Sequence, residues 1–279
     1  MAWAAAVSSA LAWGAADFCG GKASQRGDSR SIVLLSQLIS VPVLGVGLLL
    51  TARGWPAASD LGWGFGAGFF GAIGLMMLYR GLASGAMTVV APVTGVTAAI
   101  VPVAVGLVFH QPPGAMALIG VGLAVAAIGL VTLTPRDESM AVSTRVLLLA
   151  LVAGVGFGLF YVMLDGTSDH SGMWPLVGVR VASLVLSGVL VWQAGVSLRI
   201  GGSTLGWTVG AGVLDITANA AYVIAISFGL LTLVAPVASL YPVATVLLAF
   251  SLDREVIRPV QLAGIGLAAT ALVLVQVGS

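Results

Sequence analysis

The chain has 279 residues, 59% of them hydrophobic and 8% charged, with 11 Lys and Arg against 10 Asp and Glu and a formal net charge of +1. That balance excludes nucleic acid as a partner, because a phosphate backbone calls for a concentrated basic patch. The apolar runs between the charged clusters are each long enough for a bilayer, whose core of roughly 30 Å takes about 20 helical residues rising ~1.5 Å each.

In chain order the first span, approximately 2–20, carries Ser9, Trp13 and Asp17 four residues apart and hence on one helical face. No basic residue precedes it, so it reads as a span and not as a cleaved signal. Cys19, the one cysteine, forms no intrachain disulfide and reads as a small packing residue. Spans at approximately 31–51 and 61–80 follow, the third ending on Met76 and Tyr79. The fourth, approximately 85–109, lies in a stretch without charge from Gly81 to Phe109 and holds Pro92, Thr94, Thr97 and Pro102.

The fifth span covers approximately 114–134, and a short charged connection leads to the sixth, 145–164, with Phe157 and Tyr161 at i and i+4. The seventh, 173–193, contains Arg180. Between Arg199 and Asp253 the only charge is Asp215, so two spans, approximately 204–227 and 230–251, must turn near Phe228 and Gly229. The first of these presents Asp215, Asn219 and Tyr222 as one polar stripe, and the second holds Pro236, Ser239, Tyr241 and Pro242. A tenth span covers approximately 259–277. No exterior domain is predicted.

Charges inside spans cost about 2.5–3.5 kcal/mol each on insertion scales and seldom face lipid. Asp17, Asp215 and Arg180 are the three in question. For Asp215 a substrate-ammonium or proton-binding role stands beside a structural ion pair. For Asp17 the alternative is an interfacial carboxylate near Lys22, and for Arg180 a structural role in which the long side chain reaches an inner carboxylate. Pro92, Pro102, Pro236 and Pro242 interrupt the i to i−4 ladder and are predicted hinges near the centre. Thr94, Thr97, Ser239 and Tyr241 are candidate lining groups, although Ser and Thr hydroxyls also bond back to their own helices. Trp13, Met76, Tyr79, Phe157 and Tyr161 are candidate pocket walls, whereas Trp3, Trp55, Trp63, Trp174, Trp192 and Trp207 sit at span ends as interfacial anchors.

The chain also repeats itself. A shift of 144 residues lays Leu61-Gly62-Trp63 on Leu205-Gly206-Trp207 and Gly66-Ala67-Gly68 on Gly210-Ala211-Gly212. It also lays Val90-Ala91-Pro92-Val93 on Val234-Ala235-Pro236-Val237. Each repeat carries five spans, an odd number, so the second must enter the bilayer from the opposite side. The predicted class is an all-α integral membrane protein of ten transmembrane helices in two inverted five-helix repeats, 1–135 and 145–279, joined by a loop at 136–144. Such pairs place a binding site near the midplane and open it alternately to each side, which points to transport.

Trp13-Gly14 early in the first span, Pro92 and Pro236 after small-residue runs, and Pro242 ahead of Glu255 resemble the EamA family of the drug/metabolite transporter superfamily. His110-Gln111 and Arg254-Glu255 stand where that family usually has Gly-Glu, and Ala98 occupies the register of Pro242. The resemblance implies export of small metabolites, commonly amino acids or drugs, across the inner (plasma) membrane. The driving force would be an ion gradient, a proton gradient or the solute gradient itself. It also implies a cavity surrounded by spans 1, 3, 4, 6, 8 and 9, with 2, 5, 7 and 10 outside. Uptake of a sugar or other metabolite is the alternative reading.

The expected partners are a small-molecule substrate and the lipid bilayer, with no cofactor and no metal. An intramembrane enzyme would need a nucleophile with its base or a metal cluster, and neither His-Glu-x-x-His nor Gly-x-Ser-x-Gly occurs. Nothing resembles a channel filter. Nine basic residues fall in the loops after spans 1, 3, 5, 7 and 9, against Arg53 alone in the others, which predicts termini outside the cell. Members of the superfamily are often drawn the other way round.

Overall fold

The computed structural model describes residues 1–51, 54–83, 87–109, 114–132, 143–168, 170–253 and 259–277. These form eleven helices. They are α1 (Ala2–Ser24), α2 (Ser29–Thr51), α3 (Ala58–Ala83), α4 (Met87–Phe109), α5 (Ala115–Thr132), α6 (Thr144–Asp165), α7 (Pro175–Ala194), α8 (Gly202–Ile226), α9 (Leu231–Ala238), α10 (Tyr241–Asp253) and α11 (Pro259–Val277). No strand occurs among the described residues. Helices α2, α3, α6, α7 and α8 are each long and apolar enough to cross a membrane by length and composition.

Helix ends follow local chemistry. Asp28 starts α2 by accepting the Arg30 backbone N–H at 2.9 Å, and Ser143 starts α6 by accepting that of Val146 at 3.4 Å. Pro175 occupies the first turn of α7, where its missing N–H costs nothing, and Gly195 closes that helix at φ 59°. The turn after α8 falls at Ser227–Leu230, where the Phe228-Gly229 pair predicts it.

The expected ninth span is not continuous. It is divided into α9 and α10 by Ser239 and Leu240, with Pro236 inside α9 and Pro242 in the first turn of α10. The two prolines withhold N–H groups from the carbonyls of Thr232 and Ala238, six residues apart, so a single ladder cannot run through. Helix α4 runs unbroken through Pro92 and Pro102, so the hinges expected there are not breaks. The Pro92 side chain lies outside the described residues, as do His110, Gln111, Arg254 and Glu255.

Packing joins the two halves of the chain. Helix α1 lies chiefly on α8 and α6 on α3; α2 packs on α8 and α7 on α3; α4 packs on α6, while α9 and α10 pack on α1; α5 lies on α11. The 144-residue shift exchanges the members of these pairs, so the major contacts lie between the halves. Hydrogen bonds reinforce them, including Ser9 Oγ to the Ala218 carbonyl (2.9 Å) and Thr245 Oγ1 to the Gly14 carbonyl (3.0 Å).

Two glycines permit close approaches that bear on the site. A Cβ on Gly68 would lie 2.3 Å from the Val179 carbonyl oxygen, and one on Gly212 would lie 2.4 Å from that of Ser36. Both distances are below any real contact, so only glycine lets α7 settle on α3 and α2 on α8. The residues that follow these contacts in sequence are Arg180 and Gln37, and the approach carries both to the molecule's centre.

Candidate functional site: a charged central cleft

A cleft enclosing about 550 Å³ lies where the halves meet. Its walls come from α1 (Trp13, Asp17), α2 (Gln37), α3 (Gly68, Gly71, Ala72, Leu75), α6 (Phe157, Phe160, Tyr161), α7 (Val179, Arg180, Ser183), α8 (Asp215, Asn219) and α10 (Tyr241).

One wall is a hydrogen-bonded network. Arg180 Nη2 donates to Asp215 Oδ2 at 2.9 Å in an ion pair whose side chains are 4% and 16% exposed. Asn219 Nδ2 donates to the same Oδ2 at 3.1 Å, as the i, i+4 spacing on α8 predicts. Arg180 Nη1 donates to Gln37 Oε1, which also accepts the Ser183 hydroxyl at 3.0 Å. Burial makes each bond costly to break, since a lone guanidinium or carboxylate here would be unsolvated.

Asp17 is different. It lines the same cleft and is only 9% exposed, yet no hydrogen bond or ion pair joins it to another described residue. Tyr241 is also buried in the lining, and its hydroxyl has no hydrogen-bond partner among the described residues.

Aromatic rings close one end. Trp13 lies 6.1 Å from Phe160, 5.5 Å from Tyr161 and 5.6 Å from Tyr222 by ring centroids, and Tyr161 lies 4.8 Å from Tyr222. A second cleft, about 790 Å³, is lined by Thr51, Asp165, Ser171, Val223 and Ser227 among others. Along α6 the order is Tyr161, Asp165; along α8 it is Asn219, Tyr222, Val223. The aromatic cluster therefore stands between the two clefts.

Of the residues singled out in the sequence, Trp13, Asp17, Phe157, Tyr161, Arg180, Asp215, Asn219 and Tyr241 line the central cleft, and Arg180 reaches an inner carboxylate, that of Asp215. Tyr222 stands behind it in the aromatic cluster. Met76 and Tyr79 are instead packed in a core with Ile32 and Val33, and Thr94 donates to the Ala150 carbonyl at 3.1 Å. Thr97 lies against Gly154, while Ser239 is buried at the joint between α9 and α10. Pro102 and Pro236 are buried within their helices.

The expected division of helices needs correction. Helices α2 and α7 contribute Gln37, Val179, Arg180 and Ser183 to the cleft, whereas no described residue of α4 lines it. Asp17 likewise faces the cleft and not the interface beside Lys22. The sequence does not single out Gln37 and Ser183, because polar residues in an apolar span do not say which helix they face.

The profile of the EamA-like transporter family matches residues 1–133 and again 144–277. The chain belongs to the EamA-like transporter family. It is accordingly a multi-pass membrane transporter of small molecules, and its duplication is recognised twice by one profile. A solved structure titled "Crystal structure of protein" superposes with a TM-score of 0.77 at 14% identity, covering 99% of this chain and 96% of that one, which establishes a shared fold. No curated protein matches the sequence.

Proposed function

We propose that this EamA-like transporter is a secondary carrier that exports small metabolites, foremost amino acids, across the inner membrane. Ten spans in two inverted halves, 1–135 and 145–279, would alternate the cleft between the two sides. The observation that carries the reading is Asp17, a buried carboxyl without a partner among the described residues, beside an Arg180–Asp215 pair whose two charges offset each other. A fixed pair adds no net charge, so Asp17 is the carboxyl of the cleft that no cation among the described residues compensates. A substrate ammonium fills that need with a charge-assisted hydrogen bond, while Trp13, Phe157 and Tyr161 offer apolar surface to its side chain. Exchange of the ammonium for a proton at Asp17 would couple export to the proton gradient.

The aromatic cluster between the two clefts supports a carrier over a pore, because the route towards Asp165 and Ser227 is shut. Purified protein in liposomes should show saturable counterflow of labelled neutral amino acids. Asp17→Asn protein that still folds should lose about tenfold or more of it, the scale of one charge-assisted bond. Full counterflow by the variant would remove Asp17 from the mechanism, and flux that never saturates would indicate a channel.

A further inference from the structure

The Arg180 guanidinium spreads five N–H groups over three nitrogens, and one of those nitrogens has no partner among the described residues. Nη2 serves Asp215 and Nη1 serves Gln37, while Nε, buried in the cleft wall, has no acceptor among the described residues. A carboxylate usually takes the Nε and Nη2 edge of arginine with both oxygens. Asp215 uses a single oxygen, Oδ2, and shares it between Nη2 and Asn219, so the Nε half of that edge is buried without an acceptor among the described residues. Gln37 holds the other side of the guanidinium, and Ser183, donating to the same Gln37 oxygen, fixes that amide in place.

We infer that the Nε–H of Arg180, oriented by Gln37, Ser183 and Asp215, is a carboxylate-recognition subsite, and that the cleft selects molecules bearing both an ammonium and a carboxylate. This rests on the amino-acid reading above and narrows it. Asp17 alone would accept any amine; Asp17 together with an unfilled arginine N–H in the same cleft requires a zwitterion. Gln37 and Ser183 are positioning residues in this arrangement, since they act through the guanidinium.

The test is binding to purified protein in detergent, read by tryptophan fluorescence. The probes are L-leucine, L-threonine and L-phenylalanine, each beside the amine that lacks its carboxylate. At least one amino acid should bind about tenfold or more tightly than its amine, the loss expected when a hydrogen bond to a charged group goes unmade. Arg180→Lys retains a cation for Asp215 but has no Nε–H, and should bring the affinities for amino acid and amine within about threefold of each other. Equal binding of amino acid and amine to the unaltered protein would overturn the subsite and leave the amine-binding role of Asp17 standing. Undiminished preference in folded Arg180→Lys protein would overturn it as well. Absence of binding by all three amino acids and their amines would remove the amino-acid reading and the subsite with it.

Discussion

The two halves of the chain share a plan and differ where the site is built. In the first half α4 runs continuously past Ala98, whereas its counterpart in the second is split beside Pro242, which occupies the same register. Ala98 keeps its N–H for the helical ladder and Pro242 has none. The split puts Tyr241 in the cleft wall with its hydroxyl unbonded among the described residues. Charge divides likewise. The second half contributes the closed Arg180–Asp215 pair, completed by Gln37 from the first half, and the first half contributes the lone Asp17. Duplication can thus supply a scaffold, while single substitutions at equivalent positions decide which helix stays continuous and which is split.

The sharpest break of this comparison is between the two carboxylates. Asp215→Ala should strand a buried guanidinium and cost about 3–5 kcal/mol of stability, measured by unfolding in SDS–detergent mixtures. Asp17→Asn should leave stability nearly unchanged in the same measurement. Similar losses in both would make Asp17 a structural residue and erase the contrast between the halves.

A smaller effect tests the proline register. Placing the second half's proline in the first, Ala98→Pro, removes a ladder bond at a fully buried position of α4 and should cost about 3 kcal/mol. A folded variant with unchanged stability would show that α4 tolerates the same break as its counterpart.

The smallest effect lies outside the cleft, in the turn joining α1 and α2. Arg30 donates from Nε and Nη2 to the two Asp28 oxygens at 3.0 and 2.8 Å and holds that carboxyl below its ordinary range. A depressed folded value stabilises above the unfolded one, so the contribution is present at neutral pH and is lost as pH falls through the carboxylate range. Because the pair is about one-third exposed, Asp28→Asn should cost less than about 1 kcal/mol at pH 7. The variant should match the parent in strong acid, and a gap that persists at low pH would assign the effect to helix capping instead.

Much of this molecule is legible along the chain. Apolar run length predicts the helices, and the 144-residue register predicts which of them correspond. The i, i+4 spacing predicts the Asp215–Asn219 bond that the structure contains. The sequence admits an ion pair for Asp215 and a carboxylate for Arg180, but the spacing of Arg180 and Ser183 on one helix and of Ser36, Gln37 and Ser40 on another does not say which helix each stripe meets. Nothing local tells a lipid-facing turn from one that meets another helix. The signal that could have found them is the pair Gly68 and Gly212, since small residues mark where helices come closest.

By itself the sequence determined the membrane class, the helix positions and the twofold repeat, because hydrophobic length and periodicity act within a single segment. Only the tertiary structure decided that α2 and α7 reach the cleft, that Asp215 is paired and that Asp17 has no partner among the described residues. Those outcomes depend on which helix faces cross between the halves, and a buried charge acquires its meaning from the neighbour that packing brings to it.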